Sequence, residues 1–304
     1  MKHAQPLKKG DTIGIAAPSS PFDKGDFKRG VHMLENLGFK VYYRKDIFDQ
    51  NRYLAGTDRR RADELMELFQ NKNIHAVMFA RGGYGSQRII RLIDPEVIRA
   101  HPKPVVGFSD ITALLTYLRQ TCNVPTMYGP VLTMLGKHKE DVTADRLAAA
   151  LTTEDALGDL PTGDAKIYRE GTAEGVMVGG CLSLISTSIG TSYELQADGA
   201  ILFIEEIGEK MYAIDRMLTQ LKNTKVLDKV NGIVIGSIVP EEGEVYDLDG
   251  ILREVLVDFG GPIITDFPSG HTHPFITLPL GVTMKMEATS DAKPSLTATG
   301  RAFG

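Results

Sequence analysis

The chain has 304 residues and a net charge of −5 with both signs interspersed; this length allows two domains, and the lack of a basic surplus argues against nucleic acid as the main partner. Hydrophobic residues at 42% and charged residues at 24% are the proportions of an ordinary soluble protein. No apolar run approaches the ~20 residues that span a bilayer, so a membrane partner is not expected.

In chain order, Thr12 to Ala17 is a short apolar run ending at Pro18-Ser19-Ser20, the pattern of a buried strand leading into a loop. Asp26 to Leu37 carries Phe27, Val31, Leu34 and Leu37 at helical spacing, with Gly38 as the stop. Val41 to Arg44 reads as a second strand. Thr57-Asp58 opens a helix over Arg59 to Phe69 that turns Leu65, Met66 and Leu68 inward, and its Arg59-Arg60-Arg61 run is expected to be a solvated face. Ala76 to Ala80 is a third strand, Ser86 to Ile93 a third helix, Pro104 to Phe108 a fourth strand, and Ile111 to Arg119 an amphipathic helix. This rhythm predicts an α/β fold with an open parallel sheet and helices on both faces. Active sites of such sheets lie beyond the carboxyl ends of the strands, where Pro18, Arg81 and Ser109 all fall.

From about Asp141 to Thr172 the sequence is polar and weakly periodic, and the domain boundary is placed there, with residues 1–150 as an N-terminal domain and 170–304 as a C-terminal one. The second half opens with Gly175 to Gly180 and a small-residue helix, Leu182 to Ile189. A strand (Ala200 to Glu205), a helix (Tyr212 to Lys222), a strand (Gly232 to Ile238) and a helix (Leu248 to Phe259) follow. The close is β-rich: Ile263 to Phe267, Phe275 to Thr277, Gly281 to Ala288 and Ser295 to Thr299. That is a mixed α/β domain rather than a second doubly wound sheet. Met1 to Gly10 is polar with no apolar signal core, and Cys122 and Cys181 are too few for a disulfide framework and lack metal-ligand spacing. A reducing cytoplasm is the expected compartment.

Gly107-Phe108-Ser109-Asp110 places a serine where a buried strand turns straight into a helix. Such a turn leaves the hydroxyl at the mouth of the sheet and aims the first unpaired N–H groups of the helix at whatever the hydroxyl attacks. A plain N-cap is the alternative role, and the full G-x-S-x-G elbow is not met, because Ile111 stands where the last glycine would be. Arg81-Gly82-Gly83-Tyr84-Gly85 follows a buried strand and can form an anion-receiving hollow, though its spacing fits neither the dinucleotide fingerprint nor the P-loop. The Asp110 amide and a Gly82 or Gly83 amide are the natural oxyanion donors for an attacking Ser109. Arg81 is either a partner for a substrate carboxylate or a brace for the loop.

Glu205 closes the strand Ile201-Leu202-Phe203-Ile204 and can fix the tautomer of a histidine, with Glu206 and Glu209 as rivals. Strand alternation sends Glu205 and Glu206 to opposite faces, so only one is expected to face the site. His271 and His273 lie in a glycine-flanked loop. Two such histidines can chelate a metal, but no third strong ligand and no H-E-x-x-H accompany them. A histidine acting as base for Ser109 is favoured, because a serine hydroxyl is a poor nucleophile without one. A serine hydrolase with no metal or cofactor is the expectation.

With these residues assembled, the chain resembles the LD-carboxypeptidase family of serine peptidases, which includes muropeptide LD-carboxypeptidases and microcin C self-immunity peptidases. The likeness runs through Gly10-Asp11-Thr12-Ile13-Gly14-Ile15-Ala16-Ala17-Pro18-Ser19, Tyr53-Leu54-Ala55-Gly56, Arg81-Gly82-Gly83-Tyr84-Gly85-Ser86 and Gly107-Phe108-Ser109-Asp110-Ile111-Thr112. It continues through Gly179-Gly180-Cys181-Leu182-Ser183-Leu184, Leu202-Phe203-Ile204-Glu205-Glu206, Ile214-Asp215-Arg216-Met217-Leu218, Gly270-His271 and Leu278-Pro279-Leu280-Gly281. The resemblance implies a Ser109-Glu205-His271 triad, a Rossmann-like N-terminal domain, a smaller β-rich C-terminal domain and a homodimer with the site between the two domains. It also implies a small peptide substrate, a murein tetrapeptide that loses its terminal D-alanine. A microcin-type peptidyl-nucleotide peptidase and a non-catalytic small-ligand binding protein are the alternatives. Cys181 departs from the family pattern, which usually has asparagine after the two glycines.

Overall fold

The computed structural model describes residues 4–137, 142–245 and 247–303; Met1 to His3 and Asp141, which fall in the expected polar N-terminus and domain boundary, lie outside the described residues. Five strands, β1 (Thr12–Ala16), β2 (Lys40–Tyr43), β3 (Ala76–Phe79), β4 (Val105–Gly107) and β5 (Thr126–Tyr128), run parallel in the order β5-β4-β3-β1-β2. The helices of this half are α1 (Lys24–Asn36), α2 (Asp58–Gln70), α3 (Ser86–Ile89), α4 (Pro95–Ala100), α5 (Thr112–Cys122) and α6 (Val142–Thr152). Strand alternation divides the sheet's side chains between two cores. Ile13, Ile15, Ala76 and Met78 pack with Phe27 and Leu34 of α1 and Leu147 and Leu151 of α6. Ala16, Val77 and Phe79 pack instead with Leu65, Leu68 and Phe69 of α2 and Leu114, Leu115 and Leu118 of α5. The doubly wound expectation holds.

Local chemistry sets the helix starts. The Asp23 carboxylate accepts from the Gly25 and Asp26 amides at the head of α1, and the Thr57 hydroxyl accepts from the Arg60 amide at the head of α2. Three expectations need correction here. The helix expected over Ser86 to Ile93 is α3 followed by a 3₁₀ turn at Ile90–Leu92, and α4, begun by Asp94 and Pro95, was not foreseen. The helix after Ser109 is buried from Thr112 through Leu118 rather than amphipathic, because it lies between the first sheet and elements of the second half. Of the arginine run, only Arg59 is solvated. Arg60 pairs with the fully buried Glu64 at 2.7 Å, and Arg61 is itself fully buried against the Pro18 and Gly85 carbonyls. Fixed acceptors inside the fold outweigh the usual preference of arginine for water.

The second sheet has eight strands: β6 (Gly158–Asp159), β7 (Lys166–Arg169), β8 (Gly171–Cys181), β9 (Ile201–Glu209), β10 (Gly232–Pro240), β11 (Ile263–Thr265), β13 (Thr283–Ala288) and β14 (Ser295–Ala298), while β12 (Leu278–Leu280) crosses to the first sheet and pairs antiparallel with β5. Its order is β6-β14-β13-β8-β9-β10-β11-β7, parallel from β8 to β11 and antiparallel elsewhere. One face is covered by α7 (Leu182–Ser188), α8 (Met211–Asn223) and α9 (Leu248–Val255), which bury Val178, Leu202, Ile204 and Ile235. The other face, with Met177, Ile201, Phe203 and Val234, shares one core with α5. The polar stretch read as a boundary holds α6, β6 and β7, the last two being the edges of this sheet. The strand expected over Phe275 to Thr277 is displaced to Leu278–Leu280.

Where β8 reaches the first sheet, its backbone comes very close to its neighbours. Gly179 has φ +123°, and a Cβ there would lie 1.9 Å from the Phe203 carbonyl oxygen. Replacing Gly179 by Ala is expected to cost at least about 3 kcal/mol, because the backbone must give way. Urea denaturation measures this, and a loss below about 0.5 kcal/mol, the range of neutral surface changes, would contradict the packing.

Candidate active site

The loops that follow β1, β3, β4 and β11 meet around Glu205 of β9. Ser109 sits directly after β4 with φ +60°, a left-handed conformation that costs a non-glycine residue about 1 kcal/mol or more. Its amide donates to the Tyr128 hydroxyl at 3.2 Å, and its carbonyl accepts from the Thr112 hydroxyl at 2.7 Å. These bonds hold the turn, so the strained residue is fixed from both sides. Gly82 packs directly on it: a Cβ at Gly82 would lie 3.0 Å from the Ser109 Cβ. Gly83, at φ +104°, leaves room for Ser20, whose hydroxyl accepts from the Tyr84 amide at 3.2 Å.

Glu205 lies opposite Cys181 in the β8–β9 register and is fully buried. One carboxylate oxygen accepts from the Tyr128 hydroxyl at 2.5 Å. The other accepts from His271 Nδ1 at 2.7 Å and from the His271 amide at 3.2 Å. With Nδ1–H directed at a carboxylate, Nε2 is the nitrogen left to act as a base. Gly270, at φ +105°, makes this approach possible, since a Cβ there would stand 2.6 Å from the Glu205 carboxylate. The His271 ring also packs against Phe108, the residue before Ser109, at 4.8 Å between centroids.

Ser109, Gly82, Gly83, Arg81 and His271 line one cavity of about 740 Å³, with Glu205 behind His271. Arg81 donates to the Pro21 carbonyl at 2.6 Å, so it braces the loop while bordering the cavity. The Asp110 side chain is buried and bonded away from the hollow, to Ser19 and Ser86. His273 lines the cavity too, and among the described residues no group of three or more His, Cys, Asp or Glu is suited to a metal ion. Of Glu205 and Glu206, only Glu206 lines the cavity, while Glu205 reaches the site through His271. Alternation parts the two as expected, and Glu206 is held by the Ser183 and Ile207 amides at 2.7 and 2.9 Å. Glu209 lines the cavity as well.

Tyr128 was not foreseen from the sequence. It ends a strand as an aromatic in a hydrophobic run, and nothing in that pattern signals that its hydroxyl joins Ser109 to Glu205. Burial and the neighbouring Glu205 push its phenol well above the ordinary range, so it stays protonated and donates. Cys181 lines the cavity with its Sγ 3.2 Å from the Ser183 hydroxyl and 3.4 Å from Glu206. Burial, then Glu205 and Glu206, push its thiol well above the ordinary value, and burial raises Cys122 to about 11.

Residues 13–129 match the family model described as LD-carboxypeptidase N-terminal domain, and residues 174–286 the LD-carboxypeptidase C-terminal domain. The probable murein peptide carboxypeptidase of Bacillus subtilis is 38% identical over 288 residues, covering 92% of this chain and 90% of the relative. Among solved structures, the microcin C7 self-immunity protein in complex with aspartyl sulfamoyl adenosine superposes with a TM-score of 0.90 at 30% identity, covering 98% of each chain. The muramoyltetrapeptide carboxypeptidase from Oxalobacter formigenes gives 0.84 at 25% identity, covering 95% of this chain and 99% of that one.

Two outcomes follow from this geometry. Tyr128→Phe keeps the ring but leaves buried Glu205 one donor short, and should cost about 1–3 kcal/mol in chemical denaturation; an unchanged midpoint would contradict the bridge. Both cysteines remain thiols at pH 8, well below their raised values, so a thiol-reactive disulfide dye should label neither in the folded protein and both after unfolding. Rapid labelling of either native thiol at pH 8 would contradict the burial described.

Proposed function

The chain belongs to the LD-carboxypeptidase family, and from that premise we propose that it is a serine-type carboxypeptidase removing the terminal D-alanine of a murein tetrapeptide. The observation that carries this reading is the chain of contacts from Ser109 through the buried Tyr128 and Glu205 to His271, with Ser109 and His271 lining one cavity. His271 Nε2 takes the proton of Ser109 as the hydroxyl attacks the carbonyl between an L-centre and the D-residue. Glu205, already bonded to Nδ1–H, steadies the imidazolium that forms. The Asp110 amide and a Gly82 or Gly83 amide receive the oxyanion; loss of one such donor typically costs ~10²–10³ in turnover. His271 then passes its proton to the leaving amine, the D-amino acid departs, and a water activated by the same nitrogen frees the acyl group from Ser109.

Substrate assignment rests on relatives. The curated murein peptide carboxypeptidase and the solved muramoyltetrapeptide carboxypeptidase support a muropeptide, and Arg81 at the cavity wall offers a cation for the free terminal carboxylate. The likeness to the self-immunity protein bound to aspartyl sulfamoyl adenosine favours a second reading, a peptidyl-nucleotide substrate. A non-catalytic ligand-binding protein is the third. The reading also takes the protein as a cytoplasmic homodimer in cell-wall recycling. Its two buried free thiols fit a reducing compartment, and the dimer rests on the family resemblance alone.

Defined tri-, tetra- and pentapeptides and an aminoacyl sulfamoyl nucleoside, incubated with the protein and analysed by mass spectrometry, separate these readings. Loss of one D-alanine from the tetrapeptide alone is expected. Ser109→Ala should lower that turnover by about 10³-fold or more with the fold retained. Full activity in Ser109→Ala would remove the serine mechanism, and binding without turnover of any substrate would favour the third reading.

A further inference from the structure

Two loops build the wall beside Ser109: Arg81 to Ser86 after β3, whose Gly82 lies against Ser109, and Pro18-Ser19-Ser20 after β1, which supports it. They are gripped by two buried, oppositely charged side chains. The Arg61 guanidinium, with no exposure, donates from Nη1 to the carbonyls of Pro18 and, at 2.8 Å, Gly85. Its other terminal nitrogen donates to Asp58. The Asp110 carboxylate, 1% exposed, accepts from the Ser19 hydroxyl at 2.5 Å and the Ser86 amide at 2.8 Å. Each loop is therefore held at two consecutive residues, the carbonyl of the first by the cation and the next residue by the anion. The Asp110 carbonyl also accepts from the Ser86 hydroxyl at 2.5 Å. Gly85, at φ +136°, leaves space for the guanidinium, since a Cβ there would stand 2.8 Å from Arg61 Nη1.

Two buried charges that do not pair with each other are a costly way to hold a fold together: Arg61 forms its ion pair with Asp58, and Asp110 is bonded to Ser19 and Ser86. Well-packed hydrophobic residues commonly replace a buried ion pair with no loss of stability. What charged groups supply that apolar ones do not is direction, because each bond fixes one backbone or hydroxyl group in the two loops. The loops in turn fix the site. The Ser20 amide donates to the Gly82 carbonyl at 3.3 Å, and Gly82 lies against Ser109. Asp110 is itself the residue after Ser109, so the grip sets both sides of the gap between the hydroxyl and the glycine amides.

We propose that Arg61 and Asp110 are positioning residues which hold the Ser109 turn against the Gly82-Gly83 loop in the geometry that the reaction requires. The proposal rests on the reading of Ser109 as nucleophile. Misplacement by about 1 Å at such a site costs on the order of 10²-fold in rate, whereas the walls formed by β9 and the His271 loop lie outside the grip and the Arg81 side chain is tied separately, to the Pro21 carbonyl. The loss should therefore fall on kcat and leave KM in place.

The test uses the full-length protein with Asp110→Asn and Arg61→Lys, assayed on the tetrapeptide well below the melting temperature, with kcat expressed per phosphonate-titrated serine. Each variant is expected to lose about 30-fold or more in kcat while KM stays within about threefold. A folded Asp110→Asn or Arg61→Lys with kcat within about twofold of the parent overturns the proposal, as does a change confined to KM. If either fails to fold, Ser19→Ala, which removes the hydroxyl donor to the Asp110 carboxylate, and Ser86→Ala, which removes the hydroxyl donor to the Asp110 carbonyl, decide the matter. A kcat loss at constant KM supports the grip, and unchanged kcat in both overturns it. Ser109→Ala is run alongside. Inert Ser109→Ala with fully active Asp110→Asn and Arg61→Lys removes this proposal alone, whereas active Ser109→Ala removes the nucleophile reading on which it stands.

Discussion

A single carboxylate joins the two sheets at the site. Glu205 ends the run of apolar side chains in β9 with no exposure, where an unpaired charge would cost several kcal/mol. Its oxygens are satisfied from both sides, by Tyr128 at the end of β5 in the first sheet and by His271 in the loop beyond β11. Because the need for partners is energetic, it constrains the elements that bring them. The close approach of Gly270 and the left-handed turn at Ser109 are the conformations under which these contacts fit together. The strain at Ser109 is local and small beside the shared core formed by α5 and the faces of both sheets.

The cavity that results is polar in an ordered way. Arg81 brings donors and His271 its Nε2, while Glu206 and Glu209 bring acceptors from the second half of β9. Burial raises the Glu206 carboxyl above its ordinary value, opposed by the Ser183 and Ile207 amides that bond to it. Cys181 occupies the place between that carboxylate and Ser183. Burial and the neighbouring Glu205 and Glu206 hold it as the neutral thiol rather than the nucleophilic thiolate.

Much of this was legible in the sequence. Alternating strand and helix patterns led to the parallel sheet, because apolar periodicity reports directly on burial. Glycine placement, which marks positions where the backbone must bend sharply or come close, drew attention to the Ser109 turn, the Gly82-Gly83 loop and the loop of His271 and His273, and the family resemblance favoured His271 of the two histidines. Features without such marks were missed. Tyr128 looks like any aromatic at a strand end, and Arg61 looks like its solvated neighbour Arg59, since no local pattern reveals that the Pro18 and Gly85 carbonyls wait inside the fold. Strands β6 and β7 were read as linker because short edge strands carry little apolar signal, and their pairing partners β14 and β11 lie over a hundred or nearly a hundred residues downstream.

The account turns on Ser109 being reached by His271 while an oxyanion faces the amides beside it. A crystal structure of the protein inactivated by a phosphonate analogue of a D-alanine-terminated peptide tests this most directly. Phosphorus bonded to the Ser109 oxygen, a phosphonyl oxygen on the Asp110 and Gly82 or Gly83 amides, and His271 Nε2 in hydrogen-bond contact with the adduct is the predicted result. Phosphorus on another residue, or an imidazole turned away from the adduct, would contradict it.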